Sequence, residues 1–174
     1  IFQDPMSTLN PVYTVGKQLI NVISRNQDLK GGDAKNKALE MLSMVELPDA
    51  ERAMDKYPHE LSGGQRQRVI IALALSCGAE FIIADEPTGN LNVTIQAGIL
   101  KLIKNLQRTL NVTVLFIANN PGLISSTCDN TAVLYNGVIV EQGGTKEVLK
   151  NPKHPYTYML LNTVPKNKKD KIDL

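Results

Sequence analysis

Only two cysteines occur in 174 residues, Cys77 and Cys128, far apart and in apolar surroundings. Two such residues make neither a disulfide framework nor a metal cluster, and they fit small core side chains in a reducing compartment. Charge of one sign is also missing, with 19 Lys and Arg against 17 Asp and Glu, a net +2. There is no stripe of lysine and arginine interleaved with aromatics, so no nucleic-acid partner is expected. Long apolar runs are absent too. The most apolar stretch, Val69 to Ala84, is broken by Ser76, Gly78 and Glu80, short of the ~18 uninterrupted residues a membrane span needs. What remains is ordinary globular usage, 43% hydrophobic and 21% charged, enough for about one domain with a real core. Ile1 falls inside an apolar run, and the sequence is expected to begin within a longer protein.

The first half reads as helical. Ile1-Phe2-Gln3 has the look of a strand end closed by Asp4-Pro5. Thr14 can cap a helix carrying Leu19, Ile20 and Ile23, and Asp33 a second one with Ala38, Leu42 and Val45 on one face. A short turn is expected over Asp49 to Lys56, then a long helix after Ser62 up to Ser76. From there the period changes. Phe81 to Ala84 suits a strand buried on both faces, Val93 to Thr109 a helix, and Val112 to Ala118 another buried strand. Asn136-Gly137 between Thr131–Tyr135 and Val138–Glu141 is a strong hairpin signal. Short helices are expected at Thr145–Lys150 and Tyr156–Asn162, and a charged tail over Lys166–Lys171. Strand, helix, strand at these spacings argues for an α/β fold with a parallel sheet and an antiparallel edge.

Two segments carry chemistry. Ser62-Gly63-Gly64-Gln65 opens a helix, where unpaired backbone N–H groups and the positive dipole end converge. The glycines admit a phosphate close to the backbone, and the serine hydroxyl adds a donor; a plainly capped helix is the alternative. In the second, Asp85-Glu86 closes the apolar strand, the place where open α/β sheets bind ligands. Adjacent carboxylates repel, and a cation offsets that cost. Asp85 is the expected Mg²⁺ ligand and Glu86 the group that orients or deprotonates a water.

These segments together resemble the ATP-binding subunit of ABC transporters. Ser62–Gln65 is similar to the family signature loop, Phe81–Glu86 to the Walker B strand with its catalytic glutamate, and Gln3 to the Q-loop glutamine. Phe2–Pro11, Leu91–Ala97 and Asn151–Tyr158 further resemble peptide and nickel importer ATPases. The resemblance implies a P-loop NTPase-like (RecA-like) core, incomplete at its N-terminus, with a helical signature subdomain. It divides the chain into a strand end and Q-loop (1–4), the helical subdomain (5–76), the rest of the core (77–150) and a C-terminal extension (151–174).

By that resemblance ATP and Mg²⁺ are the expected ligands, with Glu86, Gln3 and, at the switch-His position, Asn119 catalytic, Asp85 and Gln3 on the metal, and Ser62, Gly63, Gly64, Gln65 and Asn92 on the nucleotide. The expected partners are a second ATPase subunit, transmembrane permease subunits and, indirectly, a substrate-binding protein, at the cytoplasmic face of the membrane. No G-x-x-x-x-G-K-[ST] loop occurs in these residues. The family places it upstream of the Q-loop, so weak ATP binding and poor solubility are expected of these 174 residues alone. Asn92 stands where the family places Asp in the D-loop, and Asn119-Asn120 where it places a switch His and Asp. Asn119 cannot become cationic as imidazole can, which implies slowed hydrolysis. A peptide or nickel import ATPase is the leading reading. A non-catalytic regulatory half and a soluble ABC protein without a membrane partner are the alternatives.

Overall fold

The Asp4 carboxylate accepts the Met6 N–H at 2.9 Å and so starts a short helix, α1 (Pro5–Thr8). Thr14 caps α2 (Val15–Asn26) through the Lys17 N–H, and Val15, Leu19 and Ile23 form its buried stripe. The third helix departs from expectation. α3 (Gly31–Met44) begins ahead of Asp33, with Lys30 at its N-cap and no side-chain cap bond, and Asp33 falls in the first turn, where a carboxylate still meets the helix dipole favourably. The expected turn over Asp49–Lys56 is also a helix, α4 (Ala50–Asp55). Tertiary packing decides this: Ala53 and Met54 are buried, and Met54 lies directly on Gly16 of α2. A 3₁₀ turn at Pro58–Glu60 then leads into α5 (Gly63–Leu75).

The computed structural model describes residues 1–163; the charged Lys166–Lys171 tail lies outside them. The chain divides into two units, Ile1–Ile117 and the residues from Ala118 on. In the first unit β1 (Phe81–Asp85) pairs in parallel with β2 (Thr113–Ile117), in a register from Phe81 opposite Thr113 to Asp85 opposite Ile117. The crossover between them is α6 (Val93–Leu110). Its stripe of Ile99, Leu102, Ile103 and Leu106 is buried, each side chain contributing about 1.5–3 kcal/mol of apolar transfer. On the other flank of β1, Ile1 donates to the Ile83 carbonyl and accepts from the Asp85 N–H. Ile1 thus pairs as a strand residue, although Phe2 and Gln3 do not continue a strand.

β1 is not buried on both faces as its sequence suggested. Ile82 and Ala84 are buried, whereas Phe81 and Ile83 are 54% and 50% exposed. Leu115 and Ile117 of β2 are exposed as well. An all-apolar run is the mark of a strand covered on two sides, and among the described residues one side of this sheet is covered.

The second unit contains α7 (Pro121–Thr127), capped by Asn120, and a hairpin of β3 (Asn130–Tyr135) and β4 (Val138–Gly144). Asn136 and Gly137 both adopt positive φ, 48° and 80°, as a type I′ turn requires. α8 (Thr145–Lys150) and α9 (Pro155–Thr163) follow. The Glu141 carboxylate receives the Lys153 and His154 N–H groups at 2.8 and 3.0 Å, which ties the segment before α9 to β4. No described helix is long and apolar enough to cross a membrane.

Candidate functional site

The acidic site is built at the tip of β1. Parallel pairing with β2 carries the strand to Asp85, and the Glu86 N–H bonds the Ile117 carbonyl at 2.9 Å. Glu86 then turns sharply, with φ at +39°, in a region that costs a non-glycine residue about 1–3 kcal/mol. Strain of this kind persists where the surroundings hold it. Here the Gly89 N–H closes back on the Glu86 carbonyl at 3.0 Å and the Leu91 N–H on the Thr88 carbonyl at 3.2 Å. Gln3, 83 residues away in sequence, donates its Nε2 to the Glu86 Oε2 at 2.9 Å. Gln3 and Glu86, proposed separately from sequence, therefore meet. Asp85, the residue before Glu86, is exposed.

Among the described residues no group of three or more His, Cys, Asp or Glu side chains is placed to hold a metal ion. Asp85 offers carboxylate oxygen and Gln3, with its amide nitrogen turned to Glu86, a carbonyl oxygen, both of the hard-donor type that Mg²⁺ takes.

The second segment starts α5. Ser62 Oγ accepts the Gln65 N–H at 3.3 Å and Gln65 Oε1 accepts the Ser62 N–H at 2.9 Å, a capping box. The box uses the Gln65 side-chain oxygen and one acceptor site of Ser62, while the serine proton is still available to donate. The two glycines differ. Gly63 is exposed. Gly64 is buried, and a Cβ there would lie 2.7 Å from Ile95 Cγ2. Gly64 thus serves close packing of α5 on α6, which the sequence reading assigned to phosphate approach alone.

Asn92 caps α6 by accepting the Ile95 N–H at 2.9 Å, so the Asn found there in place of Asp keeps the helix start intact. Leu91 lies over Gly63 and Ile95 over Gly64, which brings the start of α6 against the glycine loop. Asn119 is exposed at the beginning of the second unit.

Sequence reasoning missed the supports. Arg66 Nε donates to the Pro58 carbonyl at 2.8 Å, and Arg68 bonds the Val45 carbonyl at the end of α3 together with Glu46. Gln96 Nε2 donates to the buried Thr88 hydroxyl at 3.0 Å. Nothing in the spacing signals the arginine ties. Gln96, four residues after the cap Asn92, has the helical spacing that could have drawn attention to it.

Residues 1–89 match the family described as ABC transporter, and residues 140–174 match the oligopeptide/dipeptide transporter C-terminal region. The chain belongs to the ABC transporter family. A probable peptide ABC transporter ATP-binding protein of Sinorhizobium fredii is 48% identical over 95% of this chain and 49% of its own length. The oligopeptide transport ATP-binding protein OppD of Bacillus subtilis is 46% identical over 95% of this chain and 46% of its own. The chain spans about half the length of the curated relatives it matches. Among solved structures, cbiO1 from Clostridium perfringens, part of an ABC transporter complex, superposes with TM-score 0.75 at 29% identity, over 87% of this chain and 58% of that one. The ATP-binding cassette MJ0796, a dimer in a post-hydrolysis state with ADP and Pi, gives 0.70 at 28% identity, over 83% and 61%. The α/β fold with a parallel sheet expected from the strand and helix pattern, and the P-loop NTPase-like core that the resemblance implied, agree with the fold of these ATPase cassettes.

Proposed function

We propose that this chain serves in the ATP-binding subunit of an ABC importer for oligopeptides or dipeptides, with nickel as the other cargo class. The observation that carries the reading is the Gln3–Glu86 hydrogen bond beside Asp85 at the tip of a parallel strand. Glu86 orients and deprotonates the attacking water, and Gln3 holds the Glu86 carboxylate in place and senses what lies beside it. Magnesium bound by Asp85 and Gln3 would supply neutralisation of the phosphate charge. Ser62, Gly63 and the N–H groups at the start of α5 serve the nucleotide of a second ATPase subunit, since this loop comes without a lysine-bearing phosphate cradle among the 174 residues. Residues 5–76 dock on the permease subunits at the cytoplasmic face, and residues 77–150 and 151–174 complete the core and its extension. The matches of residues 1–89 and 140–174, and the peptide-import names of the relatives, support the cargo class.

The test is MgATP turnover by the protein as the cell makes it, together with its Glu86→Gln variant. Loss of general-base action lowers turnover by roughly 10²–10⁴-fold, with nucleotide still bound. Unchanged turnover in Glu86→Gln overturns the assignment.

A regulatory, slowly hydrolysing half is the second reading, favoured by Asn119-Asn120 in place of a switch His and Asp. One lost contact to developing charge costs about 10²–10³ in rate at a comparable oxyanion site. Asn119→His is then expected to raise single-turnover hydrolysis, and an unchanged rate counts against this reading.

A further inference from the structure

We infer that Gln96 is a positioning residue for Glu86, acting through the Thr88 hydroxyl; the inference rests on the ATPase reading above. Glu86 sits at positive φ, and its side chain reaches Gln3 only while the turn from Glu86 to Leu91 keeps its shape. The Glu86 N–H ties the start of that turn to the Ile117 carbonyl of β2, whereas its other two backbone bonds, from Gly89 to Glu86 and from Leu91 to Thr88, are internal and set its curvature without holding residues 87–91 to the rest of the unit. Thr88 is 3% exposed, and its hydroxyl accepts from Gln96 Nε2 at 3.0 Å. Gln96 is itself well anchored. Its own N–H bonds the Asn92 carbonyl at 2.9 Å, Asn92 caps the helix through Ile95, and Ile95 is pressed against Gly64. The first turn of α6 therefore holds the acidic turn with one residue and the glycine loop with the residue before it.

Loss of this bond leaves the Thr88 hydroxyl buried without its donor and lets the turn relax from the strained conformation. Relaxation misplaces the carboxylate that acts on water, while the groups that bind nucleotide are untouched. The expected signature is a rate effect without a binding effect.

The experiment measures steady-state MgATP hydrolysis and thermal midpoint for the protein as the cell makes it, with Gln96→Met, Thr88→Val and the double variant. Gln96→Met is expected to lower kcat about 10-fold with KM for ATP unchanged within about twofold. Thr88→Val should match it, and the double variant should be no slower than either. In a Glu86→Gln background Gln96→Met should add no further loss, because its effect passes through that carboxylate. Wild-type kcat in Gln96→Met, additive losses in the double variant, or KM rising in step with a falling thermal midpoint would overturn the inference while leaving the ATPase reading standing. A wild-type protein without MgATP turnover overturns that reading and this inference with it.

Discussion

Gly64 shows how two demands can fall on one residue. The sequence presents Gly63 and Gly64 as equivalent openings for a phosphate, yet only Gly63 is exposed, and Gly64 admits Ile95 to within contact of the α5 backbone. The neighbouring atom is a β-branched methyl on a helix, held to one rotamer and slow to give way. Gly64→Ala is therefore expected to destabilise the protein by about 1–3 kcal/mol through overpacking, with Ile95→Ala in the same chain recovering part of the loss. Denaturant midpoints measure this, and a Gly64→Ala protein as stable as the wild type would contradict the packing role. The capping box of Ser62 and Gln65 was open to reading from the S-x-x-Q spacing. The Gly64–Ile95 approach was not, because it depends on the angle at which α6 crosses α5.

At the scale of elements, those with local signals were legible. Thr14 announces α2, Asn136-Gly137 announces the hairpin, and the buried stripe of α6 follows its 3.6-residue period. α4 was not legible, since its six residues are too few for a period and form a helix because Met54 has Gly16 to pack on. The link from β4 to the start of α9 was equally hidden. There Glu141 is held below the usual carboxylate range, first by the nearby Thr157 hydroxyl, which stops short of good hydrogen-bond geometry, and then by the Lys153 and His154 N–H groups. A carboxyl with a depressed folded pKa contributes stability that is present above its unfolded pKa, about 4.3, and lost as pH falls through the folded value. The thermal midpoint should accordingly drop as pH falls below ~4, and Glu141→Gln should flatten that slope. Identical slopes in the two proteins would show that Glu141 carries none of it.

For the whole molecule, the acidic tip and the glycine loop were readable as separate motifs because each is a run of adjacent residues. The Gln3–Glu86 bond spans 83 residues, and sequence alone supplies no distance across that separation. The exposed face of Phe81, Ile83, Leu115 and Ile117 is the largest departure from the sequence reading. Its residues are those of a covered strand, in a chain that spans about half the length of its curated relatives. We propose that two copies of the subunit share one nucleotide, gripped between the glycine loop of one protomer and the acidic strand tip of the other. Sedimentation velocity of the Glu86→Gln protein as the cell makes it, with and without MgATP and with Gly63→Asp added, tests this directly. The account predicts that MgATP converts monomer to dimer and that a carboxylate at position 63, facing the phosphates, abolishes the conversion. A nucleotide-driven dimer that forms equally well with Gly63→Asp would contradict it.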